Sequence, residues 1–329
     1  MPAARAHEFV LCSPERLNHS SFGSLPVSCL VSPGSGTLWE QRMLPKMVAA
    51  AGADVLFSPA YTCPLWCRAP IVLVIHDVSF AAHPDWFSWR EGLRRRTLTK
   101  LGARRAARVI TESDFSKREI TRLLGIGSSD IDVIYLGAST LTQPATTAAG
   151  RLPTVLFVGS IFNRRHIPEI IEGFGHLAAR VPEARLEIVG DNRTTPPIDV
   201  AQLIAASSVP DRVHWRSYLS DADLAALYAT ASAFVFLSDY EGFGLTPIEA
   251  MAAGIPIVVL DTEISREIYG PAAEYVQRPD PGLIATALER VLTVDAERSR
   301  LIDAGTQQVE RYSWPECAHR TLQVLLTAR

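Results

Sequence analysis

The chain has 329 residues, 47% hydrophobic and 20% charged, which is enough for two domains of about 150 residues and too apolar for a disordered chain. Its longest apolar runs, IVLVI (71–75) and IPIVVL (255–260), are far short of the roughly 20 residues that a membrane span needs. MPAARAHEFV carries no long apolar stretch after its charges, so no secretory signal is expected.

The formal charge of −3 hides an asymmetry: residues 1–150 hold 16 basic and 12 acidic side chains, the remainder 16 and 23, for net charges of +4 and −7. Much of the positive charge lies in WREGLRRRTLTKLGARRAARVI (89–110), behind Trp86, Phe87 and Trp89. Residues 86–108 therefore read either as a peripheral contact with an anionic membrane or as a solvated basic face. Five cysteines, an odd and scattered set, predict free thiols in a reducing cytoplasm. A cytoplasmic protein, possible at the inner membrane face and without nucleic acid as a partner, is the expectation.

Short apolar strands alternate with amphipathic helices along the chain, the pattern of parallel βαβ units. In the first half EFVLCS (8–13), DVLFSP (54–59), IVLVIHD (71–77), ARVITES (107–113) and DVIYLG (132–137) read as strands. SDFSKREITRLLG reads as a helix capped by Ser113 or Asp114 and stopped at Gly125. GSLPVSCLVSPGSG (23–36) contains glycines but is not read as a strand opening into a helix. STLTQPATTAAGRLP, small, polar and proline-bearing, reads as a linker over 141–152 between domains at 1–140 and 153–311. The second half then alternates strands TVLFVGS, RLEIVGD, RVHWRSYL, AFVFLSD and IPIVVLD with helices near 167–180, 199–207, 221–231 and 247–253. A last helix, with SWPE as its start signal, occupies 312–329.

The stretch AFVFLSDYEGFGLTPIEAMAAGIPIVVLD (233–261) carries the chemistry. A strand ends near Ser238, a loop with Gly242 and Gly244 follows, and a helix opens at Thr246-Pro247. Glycines allow close backbone approach, and a helix N-terminus offers amide donors and the positive end of its dipole to a diphosphate. Glu241 and Glu249 flank this turn, and a carboxylate can accept bonds from two adjacent sugar hydroxyls. On spacing alone, Thr246-x-x-Glu249 also reads as a capping box.

EGFGLTPIE has the Glu-x7-Glu pattern of the large retaining glycosyltransferase family numbered four, and AMAAGIPIVVLD, VGSIFNRRHIPEIIEGF, VIHDVSF and YSWPECA are similar to other segments of that family. The resemblance spans nearly the whole chain. It implies an α/β architecture of two Rossmann-like, doubly wound domains (GT-B), the first without the family's usual opening strand and Gly-rich loop. It implies transfer of a sugar, with retention, from a nucleotide-diphosphate sugar to a saccharide or lipid-linked acceptor. A non-catalytic relative that binds a nucleotide sugar, or a partner subunit of another transferase, is the alternative. By the same resemblance, Glu249 binds the ribose, Glu241 sits at the donor sugar, and Gly242, Phe243, Gly244 and Leu245 hold sugar and diphosphate through their amides. Arg165, six residues after Gly159, stands where the family has a diphosphate-binding Lys, with Arg164 beside it. His76 matches a family histidine at the reaction centre and is grouped with Glu241 as catalytic. Basic side chains supply the counter-charge, so neither a metal nor another cofactor is expected.

Overall fold

Runs of three to five apolar residues become strands here, and the alternation of their side chains decides what each face must pack against. The computed structural model describes residues 6–17, 27–138 and 153–328. The expected linker, 141–152, lies outside them. Two compact units form: Met1–Tyr135 together with Pro315–Arg329, and Leu136–Trp314.

In the first unit β1 (Phe9–Ser13) pairs in parallel with β2 (Val27–Val31), Phe9 opposite Val27. A second parallel sheet has the order β3 (Leu56–Ser58), β4 (Ile71–Val74), β5 (Arg108–Thr111), β6 (Ile131–Val133). All of β4 is buried because both its faces are covered. Ile71, Leu73 and Ile75 join one core with Val109, Ile120 and Ile131. Val72 and Val74 point the other way and, with Ile110 and Ile134, pack under Cys317, Val324 and Leu325 of the final helix Trp314–Thr327. Arg320 of that helix also donates to the Val133 carbonyl at 2.8 Å. The helix Asp114–Leu124 starts and stops as expected: the Ser113 hydroxyl accepts from the Ser116 amide, and Gly125 turns left-handed at φ +70°. Residues 27–42 correct the reading of GSLPVSCLVSPGSG. Val27–Val31 is a strand, and after Gly34, at positive φ, the helix Gly36–Arg42 begins at Gly36, also at positive φ.

The second unit is a single six-stranded parallel sheet: β7 (Thr154–Val158), β8 (Arg185–Val189), β9 (Val213–Arg216), β10 (Ala233–Phe236), β11 (Ile257–Leu260) and β12 (Ala273–Val276). Its spatial order is β12-β11-β10-β7-β8-β9. From β7 the chain winds outward one way to β9, then returns to the other side of β7 with β10 and winds outward again. Connections therefore diverge at β7 and β10, and a crevice opens beyond the carboxyl ends of those two strands. Helices cover the sheet, and some approach closely: a Cβ on Gly173 of Ile167–Ala178 would lie 2.9 Å from Ile284 of Pro281–Thr293. No helix of the described residues is long and apolar enough to cross a membrane.

Candidate active site

The loops leaving β7 and β10 bring three charged side chains together. After β7, Gly159 takes φ +146°, and a Cβ there would lie 2.7 Å from an Arg165 nitrogen. The loop turns through Asn163–Arg165 and enters the helix Ile167–Ala178 at His166. Arg165 donates to Glu241 Oε1 through Nε (2.9 Å) and a terminal nitrogen (2.7 Å), and to the Ser160 carbonyl at 2.9 Å. Its guanidinium lies over the Phe236 ring, 4.8 Å from the centroid. Arg164 donates to the Tyr240 carbonyl at 3.0 Å, lies 3.7 Å from the same Glu241 oxygen, and covers Phe162. The aromatic beds restrict where the two guanidinium planes can turn.

All of these contacts to Glu241, and the 2.8 Å bond from the Ser238 hydroxyl, fall on Oε1. Among the described residues Oε2 has no partner. One oxygen thus fixes the carboxylate and the other remains able to accept from a hydroxyl.

Beyond Glu241 the chain passes Gly242 and Phe243 to Gly244, whose φ of +89° lets the helix Leu245–Ala252 begin. Phe243 is buried with its ring edge-on to Tyr312 at 5.3 Å, so its side chain faces the core. Tyr269 donates to the Gly244 carbonyl at 3.2 Å and braces the turn from behind. Thr246 lies within the first turn and the cap is Gly244, which has no side chain to accept from a backbone amide, so the capping-box reading of Thr246 and Glu249 is corrected. Glu249 instead faces Tyr228. Burial raises the Glu249 carboxyl above its usual range, opposed by the Tyr228 hydroxyl, which among the described residues makes no hydrogen bond of normal geometry.

His166 and Asp239 were not singled out in the sequence. His166 stands at φ +52°, with Nε2 2.9 Å from Asp239 and Nδ1 3.7 Å from Glu169. Burial works against its charge, but the two carboxylates outweigh burial and push His166 up to about 9. The Asp239 amide also donates to the Arg164 carbonyl at 3.0 Å, so the two loops are tied by backbone as well. A histidine directly after two arginines, and an aspartate two residues before Glu241, are the signals that could have identified this tie.

His76 lies in the first unit, just beyond β4. Its Nδ1 meets the buried Glu112 carboxylate and its Nε2 lies 3.0 Å from the Pro59 carbonyl. Both neighbours are acceptors, so both ring nitrogens are matched to N–H, as in the imidazolium. The Glu112 hydrogen bond, set against burial, lifts His76 above its ordinary value. This arrangement suits a fixed positive charge; with both ring nitrogens engaged, the imidazole is not set up to remove a proton. Tyr61 packs edge-on to His76 at 5.3 Å and donates to Asp77 at 3.0 Å.

The five cysteines are free, and burial pushes the Cys63 thiol up to about 12. On the 86–108 surface, Trp86 stacks on His83 at 4.0 Å and Phe87 lies under Arg95, while Trp89 is 71% exposed.

Residues 140–308 match the model for glycosyl transferases group 1, and residues 3–140 that for Glycosyltransferase Family 4. Among curated proteins, the O-antigen chain mannosyltransferase B of Escherichia coli is 27% identical over 76% of this chain and 68% of its own length. The MMP alpha-(1->4)-mannosyltransferase of Mycolicibacterium hassiacum is 32% identical over 78% of this chain and 64% of its own. The matched stretch thus spans about two thirds of the length of these relatives. Anabaena HepE, solved with UDP and glucose, superposes with a TM-score of 0.73 at 17% identity, covering 97% of this chain and 91% of that one. Two parallel Rossmann-like units, a site at the switch point of the second and these matches together place the chain in the family of glycosyl transferases group 1, family 4 in type, with the GT-B fold.

Proposed function

We propose that this chain transfers a hexosyl unit from a nucleotide-diphosphate sugar to a saccharide or lipid-linked acceptor with retention of anomeric configuration. The observation that carries the reading is the meeting of Arg164, Arg165 and Glu241 at the switch-point crevice, with the N-terminus of Leu245–Ala252 in the same loop. As the bond to the donor sugar breaks, charge accumulates on the leaving diphosphate. Two guanidinium groups already held in place would stabilise it without reorganising, which is the electrostatic form of catalysis. The amides of Gly242, Phe243, Gly244 and Leu245 would hold the sugar and diphosphate, Glu249 the ribose hydroxyls, and Oε2 of Glu241 a donor-sugar hydroxyl. His76, with both ring nitrogens already engaged, serves in this reading as a fixed positive charge that orients a bound sugar. With the arginines supplying the counter-charge, turnover needs no metal, and strict dependence on Mn²⁺ or Mg²⁺ after chelation would overturn that part. Both curated relatives are named mannosyltransferases, which makes a mannosyl donor the first to try.

The test is a panel of nucleotide sugars screened by thermal shift, then donor hydrolysis and transfer, with the anomer of the product read by NMR. Arg165→Ala should weaken donor binding by roughly 10- to 150-fold, the equivalent of losing a charge-assisted bond of about 1.5–3 kcal/mol. Glu241→Gln should lower turnover far more than donor affinity. Nucleotide sugars that fail to stabilise the wild-type chain would refute the assignment.

A further inference from the structure

The first unit contains a cavity of about 190 Å³ that the transferase reading leaves unused. The helix Trp89–Arg105 supplies Arg94, Arg95 and Thr99 to its wall, and Thr37 and Tyr61 come from other parts of the unit. Three features give it a sign. Arg94 has no carboxylate partner among the described residues; its one bond is a long 3.4 Å contact to the Thr37 hydroxyl. Arg95 is paired with Glu91 through Nε and one terminal nitrogen, which leaves its other terminal nitrogen uncommitted. The hydroxyl of Thr99, a residue only 1% exposed, is buried with no hydrogen-bond partner among the described residues.

An orphan buried hydroxyl is costly, and beside uncommitted guanidinium donors it is suited to a ligand oxygen. The acidic groups nearby are already engaged: Glu91 by Arg95, Glu40 by the Thr62 hydroxyl at 2.7 Å, and Asp77 by Tyr61. Glu40 and Asp77 keep their negative charge but do not line the cavity, whose only charged lining side chains among the described residues are Arg94 and Arg95. Phe80 and Leu98 add apolar surface, and the volume admits a small phosphorylated group.

We propose that this cavity is a phosphate-binding site, in which Arg94 and Arg95 grip a phosphoryl group and Thr99 donates to one of its oxygens. Tyr61 forms part of the wall and packs against His76, so a ligand seated here lies one ring away from that histidine. That the ligand is the acceptor rests on the transferase reading; that the cavity binds phosphate does not.

The test measures binding of glucose 6-phosphate, and of phosphatidylglycerol against phosphatidylcholine vesicles, to wild type, Arg94→Gln, Thr99→Val and Arg165→Gln. Arg94→Gln should weaken the phosphorylated probe at least tenfold. Thr99→Val should raise the melting temperature of the free protein, because it removes the orphan hydroxyl, and should shrink the shift caused by the probe. Arg165→Gln, which disables only the donor crevice, should leave glucose 6-phosphate binding intact even if nucleotide-sugar binding is lost. Loss of binding by Arg94→Gln and Thr99→Val confined to glucose 6-phosphate identifies a soluble sugar phosphate, and loss confined to vesicles identifies a lipid headgroup. If neither probe binds, or if binding is unchanged in Arg94→Gln and Thr99→Val, the proposal fails whether or not the chain transfers sugar.

Discussion

His166 holds a backbone conformation that costs a non-glycine residue about 1–2 kcal/mol, and it sits directly after the two arginines of the donor loop. Its ion pairs with Asp239 and Glu169 offset that cost and join the loop after β7 to the loop after β10. Because its folded pKa, about 9, is raised above the ordinary 6.5, the tie stabilises the fold fully below about pH 6.5 and is lost as pH rises through about 9. Melting temperatures measured from pH 6 to 10 should therefore show a fall in the wild type over that window. His166→Asn, which tolerates left-handed backbone but carries no titrating charge, should lack that fall. Parallel curves for the two proteins would show that the imidazolium contributes nothing. His76 follows the same sign rule: the stability it lends through Glu112 is present at acid pH and declines as the pH rises through its elevated pKa.

At the scale of elements, the turn into the helix Leu245–Ala252 depends on Gly244 for two separate reasons. Its φ is +89°, and a Cβ would come within 2.1 Å of the Tyr269 hydroxyl. Gly244→Ala should thus destabilise the protein by about 1–3 kcal/mol and weaken donor binding, since the turn must shift. Tyr269→Phe removes the clashing oxygen. The double variant should be less impaired than the two single changes predict, by chemical denaturation, and strict additivity would exclude the contact as the cause. This turn was legible in the sequence because glycines, a strand end and a helix start are local signals. So were strands such as Ile71–Val74 and Thr154–Val158, whose apolar runs need no partner to be recognised. Ala273–Val276, with Glu274 in the middle of a four-residue strand, gave no clear alternation, and the polar helix Asp295–Val309 gave no clear periodicity. No element was expected between 261 and 312 for that reason. The meeting of Arg165 with Glu241 is 76 residues apart in the chain and follows from strand order, a tertiary property that no local pattern encodes. Likewise, Thr246-x-x-Glu249 satisfied the spacing of a capping box, yet the positive φ of Gly244 moved the cap two residues earlier.

For the whole molecule, the charge is uneven, +4 before residue 151 and −7 after. The helix Trp89–Arg105 concentrates the positive part and leaves Trp89, Leu93 and Leu101 exposed by 71%, 51% and 43% along one side, among the exposed Arg90 and Arg104. The three large apolar side chains recur at spacings of four and eight residues, as on a helix that lies at an interface. A bilayer carrying negative charge would cover them and pair with the guanidinium groups at once, each basic side chain near the surface contributing about 1 kcal/mol. Peripheral binding through this face should therefore be strong on phosphatidylglycerol vesicles, weak on phosphatidylcholine, and diminished as ionic strength rises and the Debye length shortens. Replacing Trp89, Leu93 and Leu101 together by serine should reduce co-sedimentation several-fold while leaving far-UV circular dichroism unchanged, because none of the three side chains is buried. Reversing the charge of Arg90 and Arg104 should remove the salt dependence that remains. Equal binding to neutral and anionic vesicles, or a serine variant that sediments like the wild type, would mean that this face meets only water.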